Sequence, residues 1–331
     1  MKRQNRFLVI ATMVIGIVAL FSSSIFAKDL EFVLISKYVH PWFDVGNEGF
    51  KKAAAEIGGI KTRYLQPLTA EGKDQVKMME DVIAEKPDGI AIAVNAPEAL
   101  LPIINEAMKM GIKIVTWDDT SMKSDQLMFF GTDNFAAGVA EGEEYVKMTG
   151  GEGNYIIICH EITSTNTKQR IDGIRSVTSK YPKLVELIDE QPTGFTMGDA
   201  LSIIENLLAA HGDKNPGFID TNLLGTIALH QTLKERNIAP GKVPIVTWTL
   251  LDPIVAAIKD GYAPVSIRQN TFAMGYLALY GLKMATDGLK PSKNFFSTGF
   301  TLATKENMDT VEAINIKKAP TMLKEMRKLW H

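Results

Sequence analysis

Residues able to do chemistry gather in a few short stretches of this chain. Lys37, His40, Trp42 and Phe43 follow one Val- and Ile-rich run, and Trp117, Asp118 and Asp119 follow another. Asn166 and Arg170, Phe195, Thr221 and Asn222, then Trp248 and Asp252 lie after or near later runs. Carboxylates, amides and a guanidinium hydrogen-bond hydroxyls in pairs, while aromatic rings cover C–H faces. That mixture suits noncovalent capture of a small, neutral, polyhydroxylated molecule such as a sugar. Taken singly, each residue has a plainer reading: Trp42 and Trp117 as caps on a core, His40-Pro41 as a turn, Asp118-Asp119 as solvated charges or a helix cap.

Covalent chemistry finds no comparable set. The five histidines show no metal-ligand spacing, and the chain contains no Walker loop, no G-x-G-x-x-G after a strand and no G-x-S-x-G elbow. No catalytic residue, metal or cofactor is therefore expected.

Dispersed residues act together only if the fold converges them. From Leu30 onward, short Val/Ile-rich runs alternate with segments whose apolar residues recur every three or four positions, which is the pattern of strand–helix units. Leu30 to Ser36 reads as a strand buried on both faces, Phe43 to Ile57 as a helix stopped by Gly58-Gly59, Asp74 to Ala84 as a helix and Gly89 to Val94 as a strand. Glu98 to Met110 (helix) and Ile112 to Trp117 (strand) complete a first series. After Gly150-Gly151 a second begins, with strands at Tyr155 to Cys159, Leu184 to Asp189, Gly217 to Asp220 and Val243 to Trp248. Helices near Lys168 to Ser179, Asp199 to Ala209, Leu224 to Glu235 and Pro253 to Lys259 separate them or follow the last. Parallel strands joined by helices bind ligands outside their carboxyl ends, where the marked residues fall. Ile112-Lys113-Ile114-Val115-Thr116-Trp117 nearly repeats as Val243-Pro244-Ile245-Val246-Thr247-Trp248, linking the two series.

Composition agrees. Lys2, Arg3 and Arg6 precede an apolar run from Phe7 to Phe21, then Ser22 to Ser24 and Ala27, the order of a secretory signal peptide cleaved after Ala27. About 300 residues then remain, enough for two domains. The 36 basic and 38 acidic residues are scattered, which excludes a nucleic-acid footprint. The single cysteine, Cys159, lies within an apolar strand and reads as a buried structural thiol.

His40-Pro41-Trp42-Phe43, Asp88-Gly89-Ile90, Gly111-Ile112 and Gly131-Thr132-Asp133-Asn134 resemble the ribose-like group of type 1 periplasmic binding proteins, the sugar receptors of ABC transporters. The resemblance implies an α/β fold of two similar doubly wound parallel-sheet lobes joined by a three-strand hinge, crossing near Asp133, Gln269 and Phe296. On this reading residues 1–27 are the signal peptide, 28–132 plus 269–296 the N-terminal lobe, and 133–268 plus 297–331 the C-terminal lobe. His40, Trp42 and Phe43 would line the first lobe's side, Asp118 would receive sugar hydroxyls, and Arg170, Phe195 and Gln269 match further ligand positions. The chain departs from the group at Thr221-Asn222 and at Thr247-Trp248-Thr249, where a carboxylate is usual. Lys37 with Asp118, and Asp220-Thr221-Asn222, look more like the branch containing rhamnose and autoinducer-2 receptors. The implied role is a periplasmic, monomeric, non-enzymatic solute-binding protein that closes on a sugar and delivers it to an ABC transporter permease. The same features would equally serve a receptor that engages a chemoreceptor for chemotaxis or signalling.

Overall fold

The computed structural model describes residues 29–331, and the signal-peptide reading of residues 1–27 lies outside them. The first segment runs β1 (Leu30–Ile35), α1 (Pro41–Ile57), β2 (Ile60–Leu65), α2 (Gly72–Ala84), β3 (Gly89–Ile92), α3 (Pro97–Lys109), β4 (Lys113–Trp117) and β5 (Phe129–Gly131). There follow α4 (Asn134–Thr149), β6 (Gly153–Cys159), α5 (Thr165–Thr178), β7 (Leu184–Glu186), β8 (Gln191–Pro192) and α6 (Met197–His211). Next come β9 (Gly217–Asp220), α7 (Leu224–Glu235), β10 (Ile245–Trp248), α8 (Asp252–Lys259) and β11 (Val265–Gln269). The chain ends with α9 (Thr271–Thr286), β12 (Phe295–Ser297), β13 (Phe300–Thr304) and α10 (Met308–Arg327).

Two sheets result. One is wholly parallel with order β12-β5-β4-β3-β1-β2; the other has order β13-β11-β10-β9-β6-β7, with β8 beside β6 and only β13 antiparallel. Val33, Ile35, Ile90, Ile92 and Ile114 pack towards α2 and α3, whereas Phe32, Leu34, Ala91 and Val115 pack towards α1 and α9. Strands covered on both faces need apolar residues at every position, so they read as unbroken Val/Ile runs. In each sheet the strand order reverses beside its first strand, between β1 and β3 and between β6 and β9, which opens a crevice at the carboxyl ends.

The chain passes between the sheets after β5, after β11 and between β12 and β13. After each of the first two passages the same device recurs. Asp133 caps α4 by accepting from the Ala136 N–H, and Asn270 caps α9 by accepting from the Ala273 N–H. Both helices then carry Phe-Ala-x-Gly, as Phe135 to Gly138 and Phe272 to Gly275. A Cβ at Gly138 would overlap the Arg170 carbonyl of α5, and one at Gly275 would overlap the Gly46 carbonyl of α1. In return Gly173 of α5 lies against the Phe135 carbonyl and Gly49 of α1 against the Phe272 carbonyl. Backbone-to-backbone contact thus clamps each ligand-side helix, α1 or α5, onto the helix that leaves the hinge.

One boundary needs correction. The segment 297–331, expected wholly in the second lobe, divides: Met308 packs with Ile254 and Ile258, but Ala319, Leu323, Met326 and Trp330 belong to the core around α9. Their spacing of four, three and four makes one helical stripe, and burying it turns the chain's end back to the first lobe.

Candidate functional site

Between the two crevices lies a cleft enclosing about 660 Å³ of space, open mouth included. The first lobe contributes Lys37, Tyr38, His40, Trp42, Phe43 and Asp118. On the other side stand His160, Glu161, Ser164, Asn166, Thr167, Arg170, Phe195, Asn222, Leu223, Trp248 and Thr249, with Gln269 at the hinge.

On the first lobe, Pro41 at the start of α1 and the His40 cap, whose Nδ1 accepts from the Trp42 N–H at 3.2 Å, turn the chain so that Trp42 and Phe43 reach the cleft. The rings stand edge to face, Trp42 on Phe43 at 5.1 Å and Phe43 on Trp117 at 5.7 Å. Lys37 Nζ donates to Asp119 Oδ2 at 3.0 Å and lies 3.5 Å from Asp118 Oδ2, all three residues being buried. Burial works against the Lys37 charge, but Asp119 and Asp118 outweigh it and hold its pKa above the ordinary lysine value. Burial likewise pushes the Asp118 carboxyl up, with Lys37 pulling it back.

On the second lobe the centre is Arg170. Its Nε donates to Asn134 Oδ1 at 2.9 Å, its Nη1 to the Thr221 carbonyl at 2.8 Å, and its guanidinium lies 3.6 Å over the Trp248 ring. Trp248 is held in turn by its Nε1–H, which donates to Glu141 Oε2 at 2.8 Å. Burial lowers Arg170 to about 10, which leaves it charged at neutral pH. The same burial raises Glu141 well above the ordinary carboxylate range, against the pull of the Trp248 hydrogen bond.

The repeated Thr-Trp separates here into two roles. Gly46 and Arg170 are each the sixth residue of their helices, α1 and α5. Beneath Gly46 the absent side chain leaves room for the Trp117 ring; the equivalent space over Trp248 holds the Arg170 guanidinium. Trp117 is therefore sealed, with its Nε1–H donating to the Ile35 carbonyl at 3.0 Å, and does not line the cleft. The residues that follow, Asp118 and Thr249, both sit at positive φ, 62° and 69°. For a β-branched threonine that conformation is strained, a cost usually met at functional positions.

Three further expected residues stand apart from the cleft. Asp119 lies behind Asp118, spending one oxygen on Lys37 and the other on the Thr120 N–H. Thr221 is buried and offers its carbonyl to Arg170, and Asp252 is exposed in the first turn of α8, a place that favours negative charge. Conversely, Tyr38, His160, Glu161, Ser164, Thr167 and Leu223 line the cleft without having been singled out. His160 directly follows the β6 strand end, so the strand-end rule that marked Asp118 would have marked it too. Cys159 is buried, and burial pushes its thiol up to about 12, consistent with a structural role.

Two features prepare the cleft for a ligand. His160 Nε2, Asn222 Oδ1 and Thr249 Oγ1 are buried without a protein hydrogen-bond partner, and such groups in native structures call for a ligand, ion or water. The lobes also touch, Tyr38 meeting Phe195 edge to face at 5.9 Å.

Glu141 supplies a pH test. A carboxyl whose folded pKa is raised adds stability that is complete below its unfolded value, near 4.5, and is lost as pH rises through the folded value. The stability of the protein relative to Glu141→Gln should therefore fall between pH 5 and pH 8, by up to about 1.4 kcal/mol per pH unit while the group titrates. Denaturant unfolding at the two pH values checks this; a constant difference would show that Glu141 is ionised throughout.

A model of the periplasmic binding protein domain matches residues 32–290. The ribose import binding protein of Haemophilus influenzae is 26% identical over 259 residues, covering 78% of this chain and 86% of that protein. The crystal structure of an ABC transporter solute binding protein from Burkholderia graminis, in complex with D-arabinose, is 32% identical with a TM-score of 0.81, covering 85% of this chain and 97% of that one. An arabinose binding protein from Geobacillus stearothermophilus is 25% identical with a TM-score of 0.72, covering 86% and 99%. Proteins of this kind bind solutes and catalyse no reaction. With the domain match spanning well over half its length, the chain belongs to the periplasmic binding protein family, in its ribose-like group.

Proposed function

We propose that this chain captures a neutral monosaccharide in the interlobe cleft, outside the cytoplasm, and presents it to the permease of an ABC transporter. The observation that carries the reading is the pairing of unpartnered buried polar atoms with aromatic walls. His160 Nε2, Asn222 Oδ1 and Thr249 Oγ1 ask for hydroxyls, while Trp42, Phe43 and Phe195 offer surfaces to C–H faces. Lys37, Arg170 and Asp118 bring charges of both signs, which suits a neutral ligand rather than a sugar acid. Binding to both sides stabilises the closed arrangement through contacts that an open one lacks. D-arabinose, present in the Burkholderia graminis structure, is the natural first sugar to try.

A thermal-shift screen over pentoses, hexoses and deoxysugars tests this. A ligand at 100 times its Kd adds about 2.7 kcal/mol, a shift of several degrees. Tryptophan emission should change with binding through Trp42 and Trp248, which line the cleft. Asp118→Ala should weaken binding about 10- to 100-fold, the worth of a charge-assisted hydrogen bond, while Lys37 keeps Asp119 as its partner. No shift with any neutral sugar would sink the proposal; unaltered affinity in Asp118→Ala would remove Asp118 from the site.

A further inference from the structure

We infer that His160 reads one hydroxyl of the ligand, so that the site discriminates against the sugar lacking that hydroxyl. The inference rests on the sugar reading above and deepens it.

His160 is the first residue past β6, and its backbone is pinned on both sides. The Thr193 N–H donates to the Cys159 carbonyl at 2.7 Å, and the Gly194 N–H donates to the His160 carbonyl at 3.1 Å. Its ring lies 5.3 Å from that of Phe195, and the residue is 9% exposed. His160 lines the cleft, and its buried Nε2 has no protein partner. With the backbone pinned and the residue buried, a ligand in the cleft is the partner left for this nitrogen. Burial, then His40, Arg170 and Lys37, depress its pKa to about 3, so the imidazole stays neutral at working pH. A neutral imidazole pairs with a hydroxyl as donor or acceptor but gives a carboxylate no charge to meet. With Phe195 beside it, the matching fragment is a C–H face carrying one hydroxyl. A site that hydrogen-bonds a hydroxyl rejects the analogue without it strongly, because its own polar group is left buried and unpaired.

The test is titration calorimetry on the full mature chain with the tightest neutral sugar from the screen and each of its monodeoxy analogues, repeated with His160→Phe and His160→Gln. Wild type should bind one analogue at least about 30-fold more weakly than the parent. His160→Phe should lose a similar factor for the parent yet bind that analogue as wild type does, and His160→Gln should regain part of the loss. The pH profile of affinity between pH 8 and pH 5 should be the same for His160→Gln as for wild type, since His160 is neutral throughout. Equal weakening of the parent and all analogues in both variants, or no weakening in either, would overturn the assignment. Failure of wild type to bind any sugar would instead overturn the function on which it rests, and does so before any variant is made.

Discussion

Arg170→Lys is expected to weaken sugar binding by about 10²- to 10³-fold, measured by calorimetry with the sugar that raises the melting temperature. The guanidinium is planar, and its position depends on that plane: Nε donates to Asn134 on one side, Nη1 to the Thr221 carbonyl on another, and one face lies on Trp248. Among the described residues Nη2 carries no hydrogen bond, which leaves it for the ligand. A lysine ammonium keeps the charge but has neither the fork nor the face. It cannot hold Asn134, the Thr221 carbonyl and a ligand hydroxyl at once, and buried, hydrogen-bonded charges are costly to disturb, by about 2–5 kcal/mol. Affinity within threefold of wild type would show that only the charge of Arg170 matters.

Gly275→Val should lower the melting temperature by on the order of 5 °C or more. The added carbons have no free space, since even a Cβ meets the Gly46 carbonyl, and overpacking of this kind costs about 1–3 kcal/mol. Gly138→Val makes the matching collision with the Arg170 carbonyl in the other lobe. It should therefore reduce sugar affinity as well as stability, because α5 carries Arg170 into the cleft. Gly198→Ala is the control: near the start of α6 its Cβ would meet only Thr196 Oγ1 at 3.8 Å, and the melting temperature should hold or rise. Equal melting of all three variants would show that the helix pairs are not packed as tightly as described.

The two-lobed architecture was legible because strands buried on both faces must be apolar throughout, and helices between them must carry a stripe. β1, β3, β4, β6, β9 and β10 follow from that rule. α9 does not, since it is buried on every side and its apolar residues show no stripe to read. Edge strand β2 mixes Lys61, Thr62 and Arg63 with apolar residues because one of its edges faces solvent. The hinge-helix device left a signal that periodicity does not capture: an Asp or Asn cap, then Phe-Ala-x-Gly, at 133–138 and again at 270–275.

For the site, residue type and place at a strand end determined the candidates, because the topology of such sheets sends every strand's carboxyl end to one edge. That rule placed Lys37, His40, Trp42, Phe43, Asp118, Arg170 and Phe195 at the cleft, and the family resemblance added Gln269. Sequence could not separate two tryptophans in the same Thr-Trp context, since the difference lies in another helix: Gly46 admits the Trp117 ring into the core, while Arg170 covers that of Trp248. Residue type alone does not rank Asp118 above Asp119, adjacent and chemically alike; the family resemblance singled out Asp118, and the physical reason lies in a positive φ and in which oxygens Lys37 and Thr120 already occupy. Residue chemistry is local and was open to reading from the start; which atoms remain unpaired depends on every neighbour at once, and only the tertiary structure supplies those neighbours.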